Sequence, residues 1–178
     1  MSLKKLKIIS VIISFILCFI VHFIYDIFPC FLTSIFAPVN ESIWEHMKMI
    51  FTSIVITGVI QKIYVKKKKL NYNNICISNV VSAVLSIPIY LIMFMPIYKI
   101  IGENLFINII IMLITIIISE IISYYIIKMK DLGLEDAAII LVVATYVIFI
   151  MLTYNPPKTH LFEDPTYKYY GIKKVSLF

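Results

Sequence analysis

Imidazole and carboxylate side chains collect at three places in this 178-residue chain, and each offers metal-binding or acid–base chemistry. His22 and Asp26 are four residues apart, so on a helix they share one face. A second group reads Glu41-Ser-Ile-Trp44-Glu45-His46-Met-Lys48, with Asn40 as a good N-cap before it. Glu41, Glu45 and Lys48 recur at helical spacing and form one stripe, while His46 lies about 100° round from Glu45. The third group, Asn155-Pro-Pro-Lys-Thr-His160-Leu-Phe-Glu163-Asp164-Pro165, closes the last apolar stretch.

Imidazole with carboxylate is a ligand set for zinc, which in catalytic sites takes three protein ligands and a water. Bound water then reaches a pKa near about 7 and becomes a nucleophile. With His22, Asp26 and His46 as ligands of zinc or another divalent metal, Glu45 or Glu41 would be the general base. That would be a metal-dependent hydrolase working at the outer leaflet. The same residues also suit a structural or partner-binding role, the reading that the spacing itself favours. Asn40 caps the helix, and Glu41 and Glu45 favour its positive end. Glu45 pairs with Lys48, and Trp44 anchors at the membrane interface. A third reading starts from Asn104, Asn108, Thr115, Ser119 and Ser123, which share a helix face bordered by Glu120. Such a stripe is a proton or cation pathway of a small transporter, or packing glue with Glu120 neutral or paired to Lys128. A tight His22–Asp26–His46 group on a cavity marks an enzyme, and a polar path through Asn108 and Thr115 to Glu120 marks a transporter. Carboxylates paired off locally mark a structural protein.

The elements that must position these groups follow from composition. Hydrophobic residues make up 61% of the chain and charged ones only 15%. Mean hydropathy is +0.98. A chain this short has too little interior to hide so much apolar surface from water. An ordinary soluble enzyme, a disordered chain and a nucleic-acid-binding domain are excluded. A spanning helix needs roughly 20 mainly apolar residues. Five such stretches occur, at 8–28, 42–65, 75–98, 104–127 and 137–154, followed by a tail at 155–178. The expectation is an all-α, polytopic membrane helix bundle of one domain in the cell membrane. The first apolar stretch is too long for a signal peptide's core and no small-x-small cleavage site follows it, so it reads as an uncleaved span.

All 16 basic residues are lysine. With the N-terminus inside, ten of them fall on the cytoplasmic side: Lys4, Lys5, Lys7, Lys62, Lys66 to Lys69, Lys128 and Lys130. Lys158, Lys168, Lys173 and Lys174 of an outer tail are the discordant count. An N-in, C-out bundle puts every histidine and six of the ten acids at its outer face. Lys66–Lys69 is chiefly a topology signal, and it also suits anionic lipid headgroups. The lipid bilayer is the one partner these residues specify; no nucleic acid is expected, and protein partners are not legible. Cys18, Cys30 and Cys76 lack motif spacing and fall at different depths, against a disulfide or a cysteine metal site. Pro88 and Pro96 interrupt the third span, and Pro156, Pro157 and Pro165 stiffen a tail expected to fold back over the entrance between the first two spans.

Asn40-Glu-Ser-Ile-Trp-Glu-His-Met-Lys48 resembles the N-E-S-x-W-E-H-x-K signature of a small uncharacterised family of bacterial integral membrane proteins, mostly from Firmicutes. His22 with Tyr25-Asp26, and Pro156-Pro-Lys through Leu161-Phe162, Asp164-Pro165 and Tyr170-Gly-Ile172, resemble that family's first helix and ending. The likeness runs along essentially the whole chain. It implies identity and membership, and no mechanism.

Overall fold

The computed structural model describes residues 1–102 and 104–172. Lys173 and Lys174 lie outside the described residues. Among the described residues six helices follow in order: α1 (Leu3–Ile27), α2 (Phe31–Phe36), α3 (Ile43–Lys67), α4 (Ile75–Ile101), α5 (Leu105–Ile127) and α6 (Glu135–Tyr154). All but α2 are long and apolar enough to cross a membrane, which fits a multi-pass membrane protein. No strand occurs among the described residues; an isolated antiparallel bridge joins Glu163 to Tyr170.

Capping explains where several helices begin. Ser2 accepts a hydrogen bond from the Lys5 N–H, and Asn104 accepts one from Ile107. At α3 the cap is Ser42, which accepts from the Glu45 N–H. Asn40 is therefore not the N-cap, and Glu41 lies ahead of the helix rather than on its stripe. The additional helix α2 has only six residues, too few to display a hydrophobic period. It starts after Pro29, where the Thr33 hydroxyl accepts from the Cys30 N–H. Pro88 and Pro96 both sit inside α4, and all three cysteines are free.

The bundle packs polar faces inward and apolar faces outward. Along α1, Ile8, Ile12, Ile16, Phe19, Ile20 and Phe23 are exposed, whereas Lys7, Ser10, Ser14 and Cys18 are buried. Lipid satisfies an apolar surface but no polar group, so hydroxyls and charges turn toward protein partners. Helix α3 carries this furthest, being the least apolar of the five spans and the most buried. It packs between α1 and α4, with α5 against α1 and α4.

Close approach of α3 and α4 rests on Gly58. A Cβ there would stand 2.8 Å from the Asn79 Cβ. Gly58→Ala is expected to force the two helices apart and cost about 1–3 kcal/mol. A thermal unfolding midpoint equal to wild type in the same detergent would overturn that expectation.

At the end of the bundle where α1 begins, Lys7 is buried in an ion pair with Glu120, 3.0 Å away. Its ammonium also donates to Gln61 Oε1 and Asn79 Oδ1, each at 2.9 Å, and to Ser123 Oγ. Lys7 is thus an internal tie between four helices and not a surface charge. The partner of Glu120 is Lys7, not Lys128, whose ammonium lies 5.2 Å from the Tyr124 ring centroid. Thr115 donates within its own helix to Ile111 O at 2.8 Å. Buried Ser123 donates to Asn79 Oδ1, so that end of the α5 stripe bonds across to α4.

Candidate metal centre

The opposite end of the bundle brings His22, Glu41 and His46 together. One ligand atom from each lies within 4.8 Å of the other two. His22 Nε2 is 3.4 Å and His46 Nε2 3.5 Å from the same oxygen, Glu41 Oε2. Tetrahedral zinc with bonds of about 2.0–2.1 Å needs ligand atoms about 3.3 Å apart. Two edges of that tetrahedron are already close to their required length, and the third needs a modest closure.

Hydrogen bonding sets how His46 faces the group. Its Nδ1 lies 3.0 Å from the Ser42 carbonyl oxygen. A carbonyl only accepts, so Nδ1 carries the hydrogen, and in the neutral ring Nε2 presents its lone pair to Glu41. Metal-binding histidines are held in this manner by a second acceptor. A lone pair facing a carboxylate is repulsive unless a proton or a cation lies between them. His22 Nδ1 is buried with no hydrogen-bond partner, and its ring packs against His46 with centroids 5.7 Å apart.

The tail fixes the loop that carries Glu41. Asp164 Oδ2 accepts from the Glu41 N–H at 3.1 Å, and Asn40 Nδ2 donates to Gly171 O at 2.8 Å. The Trp44 N–H donates to Leu161 O at 3.0 Å. Asp164 is itself held by the Thr166 and Tyr167 N–H groups on Oδ1. Gly171 has a positive φ of 66°, and a Cβ there would stand 2.5 Å from Thr153 O. Only glycine suits that position.

Other residues singled out by sequence lie apart from the cluster. Asp26 is exposed at the end of α1 and outside the convergent group. Glu45 is buried and paired with fully buried Lys48. It also accepts from Thr153 Oγ at 2.7 Å and from the Val39 N–H at 3.1 Å, so both of its oxygens are engaged inside the chain. Trp44 is buried between Phe149 and Phe162, with ring centroids at 4.9 and 5.1 Å, rather than standing at the lipid interface. His160 lies 3.6 Å from Glu163 and packs on Tyr98. A pocket of about 20 Å³, roughly one water in size, has His160 and Glu163 on its walls with Glu41 and His46.

Beneath the histidines opens a cavity of about 620 Å³, within the size range of small-molecule sites. His22, Glu41, His46 and Asn108 lie on its walls with apolar residues such as Cys18, Met49 and Met112. Tyr90 of α4 also lines it. Spacing could not single out Tyr90, and Asn108 was visible only as part of the α5 stripe. A family model matches residues 1–172. The chain belongs to DUF6512, a family of unknown function. Its match covers essentially the whole chain, as the resemblance implies. No curated protein and no solved structure matches the chain.

The metal-free cluster has a defined pH response. The hydrogen bond from His22 lowers the Glu41 pKa most, burial opposes it, and the His46 charge adds to the lowering. A depressed folded pKa contributes stability above the unfolded value of about 4.3, and that contribution is lost as pH falls through the folded value. The metal-free thermal midpoint is therefore expected to fall more steeply below about pH 4.3 in wild type than in Glu41→Gln. Parallel curves for the two proteins would contradict this.

Proposed function

We propose that His22, Glu41 and His46 hold one divalent metal ion of the zinc type, and that the protein is a membrane-embedded metal-dependent hydrolase. Support comes chiefly from one observation, the convergence of both Nε2 atoms on a single Glu41 oxygen at 3.4 and 3.5 Å. Three protein ligands leave a fourth position for water, whose pKa the metal lowers to about 7. A bound ion would supply an activated water for hydrolysis, in which the water oxygen would bond to an acyl carbon as the bond to the leaving oxygen or nitrogen breaks, with one water proton passing to the leaving group. In this proposal Glu41 takes the ligand place first given to Asp26, and Glu45 serves the fold.

We further propose a bacterial cell-membrane setting with N-in, C-out topology, the metal centre at the outer face and Asn40–Lys48 as the family signature. Lysines at the α3 and α5 ends away from the cluster support that orientation.

A structural or partner-binding role is the second reading, favoured by how many signature residues are spent locally. Asn40, Glu45 and Lys48 all have their polar atoms engaged inside the chain. Metal analysis of protein purified without chelator separates the two. The hydrolase reading expects about one zinc-type ion per chain, and loss of that ion in His46→Ala. Metal content unaltered by His46→Ala would leave the structural reading standing.

A further inference from the structure

We infer that the ligand of the 620 Å³ cavity is the acyl chain of a membrane lipid, entering sideways from the bilayer between α1 and α5. This rests on the metal-centre reading for its chemistry and on separate observations for its geometry. The cavity is amphipathic along its length. Its polar groups, His22, Glu41, His46 and Asn108, belong to the last turns of α1, the loop just before α3 and the first turns of α3 and α5, at the end of the spans, with the Tyr90 phenol of α4 as the other polar side chain on the wall. Cys18, Met49, Ile50 and Met112 lie further along the same helices and supply an apolar wall. A ligand must therefore present a polar, cleavable group at the bundle end and an apolar chain running inward beside the helices. A lipid has that order of parts and already lies in that direction.

The side walls identify the route. Phe19 and Phe23 of α1 are 42% and 54% exposed, and Leu105 of α5 is 76% exposed, yet all three also line the cavity. Residues that belong at once to the outer surface of a spanning helix and to an internal cavity form its doorway. The outer surface at that depth is apolar, so the doorway meets hydrocarbon. The inner wall is closed in contrast: Met49, Ile50 and Met112 are 3%, 1% and 6% exposed. Only a molecule inside the cavity can touch them.

The test reconstitutes the full chain in phosphatidylglycerol vesicles doped with the same lipid carrying a diazirine in its acyl chain. After illumination, labelled residues are mapped by mass spectrometry and metal content is measured on the same preparation. Labels on Met49, Ile50 and Met112 are expected, with loss of the Met49 and Ile50 labels in Met112→Trp while labels on lipid-facing Ile12 persist. Labels confined to Phe19, Phe23, Leu105 and other outward positions in wild type would overturn the inference, whatever Met112→Trp does. Labelling of the inner wall by a water-soluble diazirine carboxylate but not by the lipid would also overturn it. Inner-wall labelling without bound metal would uphold the lipid site and remove the metal reading, so the two failures are distinct.

Discussion

Lys48→Met is expected to destabilise the protein by about 3–5 kcal/mol, the usual cost of stripping one partner from a buried ion pair. Lys48 is fully buried, and its ammonium pairs with Glu45 while donating to the Ser34 carbonyl at 2.8 Å and to Thr153 Oγ at 3.2 Å. These contacts join α2, α3 and α6 at a single point. Without the ammonium, the Glu45 carboxylate would remain buried with hydrogen bonds but no countercharge. Adding Glu45→Gln to Lys48→Met removes that stranded charge and is expected to recover a large part of the loss. Thermal unfolding in one detergent across wild type, single and double variants checks this. A single variant as stable as wild type, or a double variant worse than the sum, would sink the assignment.

The second large effect is on metal. Glu41→Gln is expected to weaken metal binding by at least about a hundredfold, since even outer-shell changes cost about 10–100-fold. Its side chain is 43% exposed, and its backbone N–H, not its carboxylate, makes the contact with Asp164. The fold should therefore survive the substitution. Glu45→Gln should show the reverse pattern, with metal retained and stability reduced. Titration of chelated, refilled protein with zinc gives the affinities. Equal losses of metal in both variants would mean that the cluster responds to general loosening and not to a missing ligand.

These two carboxylates show where sequence reasoning carries and where it stops. Five helices of spanning length were legible because hydropathy over some twenty residues is a long, redundant signal. Helix α1 nonetheless begins at Leu3, five residues ahead of the apolar stretch, where Lys4, Lys5 and Lys7 mask its start. The pairing of Glu45 with Lys48 was legible too, since residues three apart on a helix are neighbours. Helical spacing puts Asp26 on one face with His22, and Glu41 on one face with Glu45. Those are the partners helical spacing can see. The actual position of Glu41 depends on a loop before α3 that the distant tail holds through Asp164 and Asn40. No local period encodes that. Lys7 and Glu120 illustrate the same limit, since their pairing arises from the packing of α1 against α5. A lysine near a positively charged start reads as topology until the helices are assembled. Trp44 likewise matched the interfacial habit of tryptophan, and only the fold places the tail's Phe162 against it.

Zinc-edge X-ray absorption on the purified, zinc-loaded protein tests the central claim most directly. The account predicts a first shell made only of nitrogen and oxygen at about 2.0–2.1 Å, with an imidazole outer-shell signature from His22 and His46, and no bound zinc to give that spectrum in His46→Ala. Cys18 also lines the cavity, so sulfur is a real competitor. A shell containing sulfur at about 2.3 Å, or a spectrum unchanged by His46→Ala, would contradict a centre built on His22, Glu41 and His46.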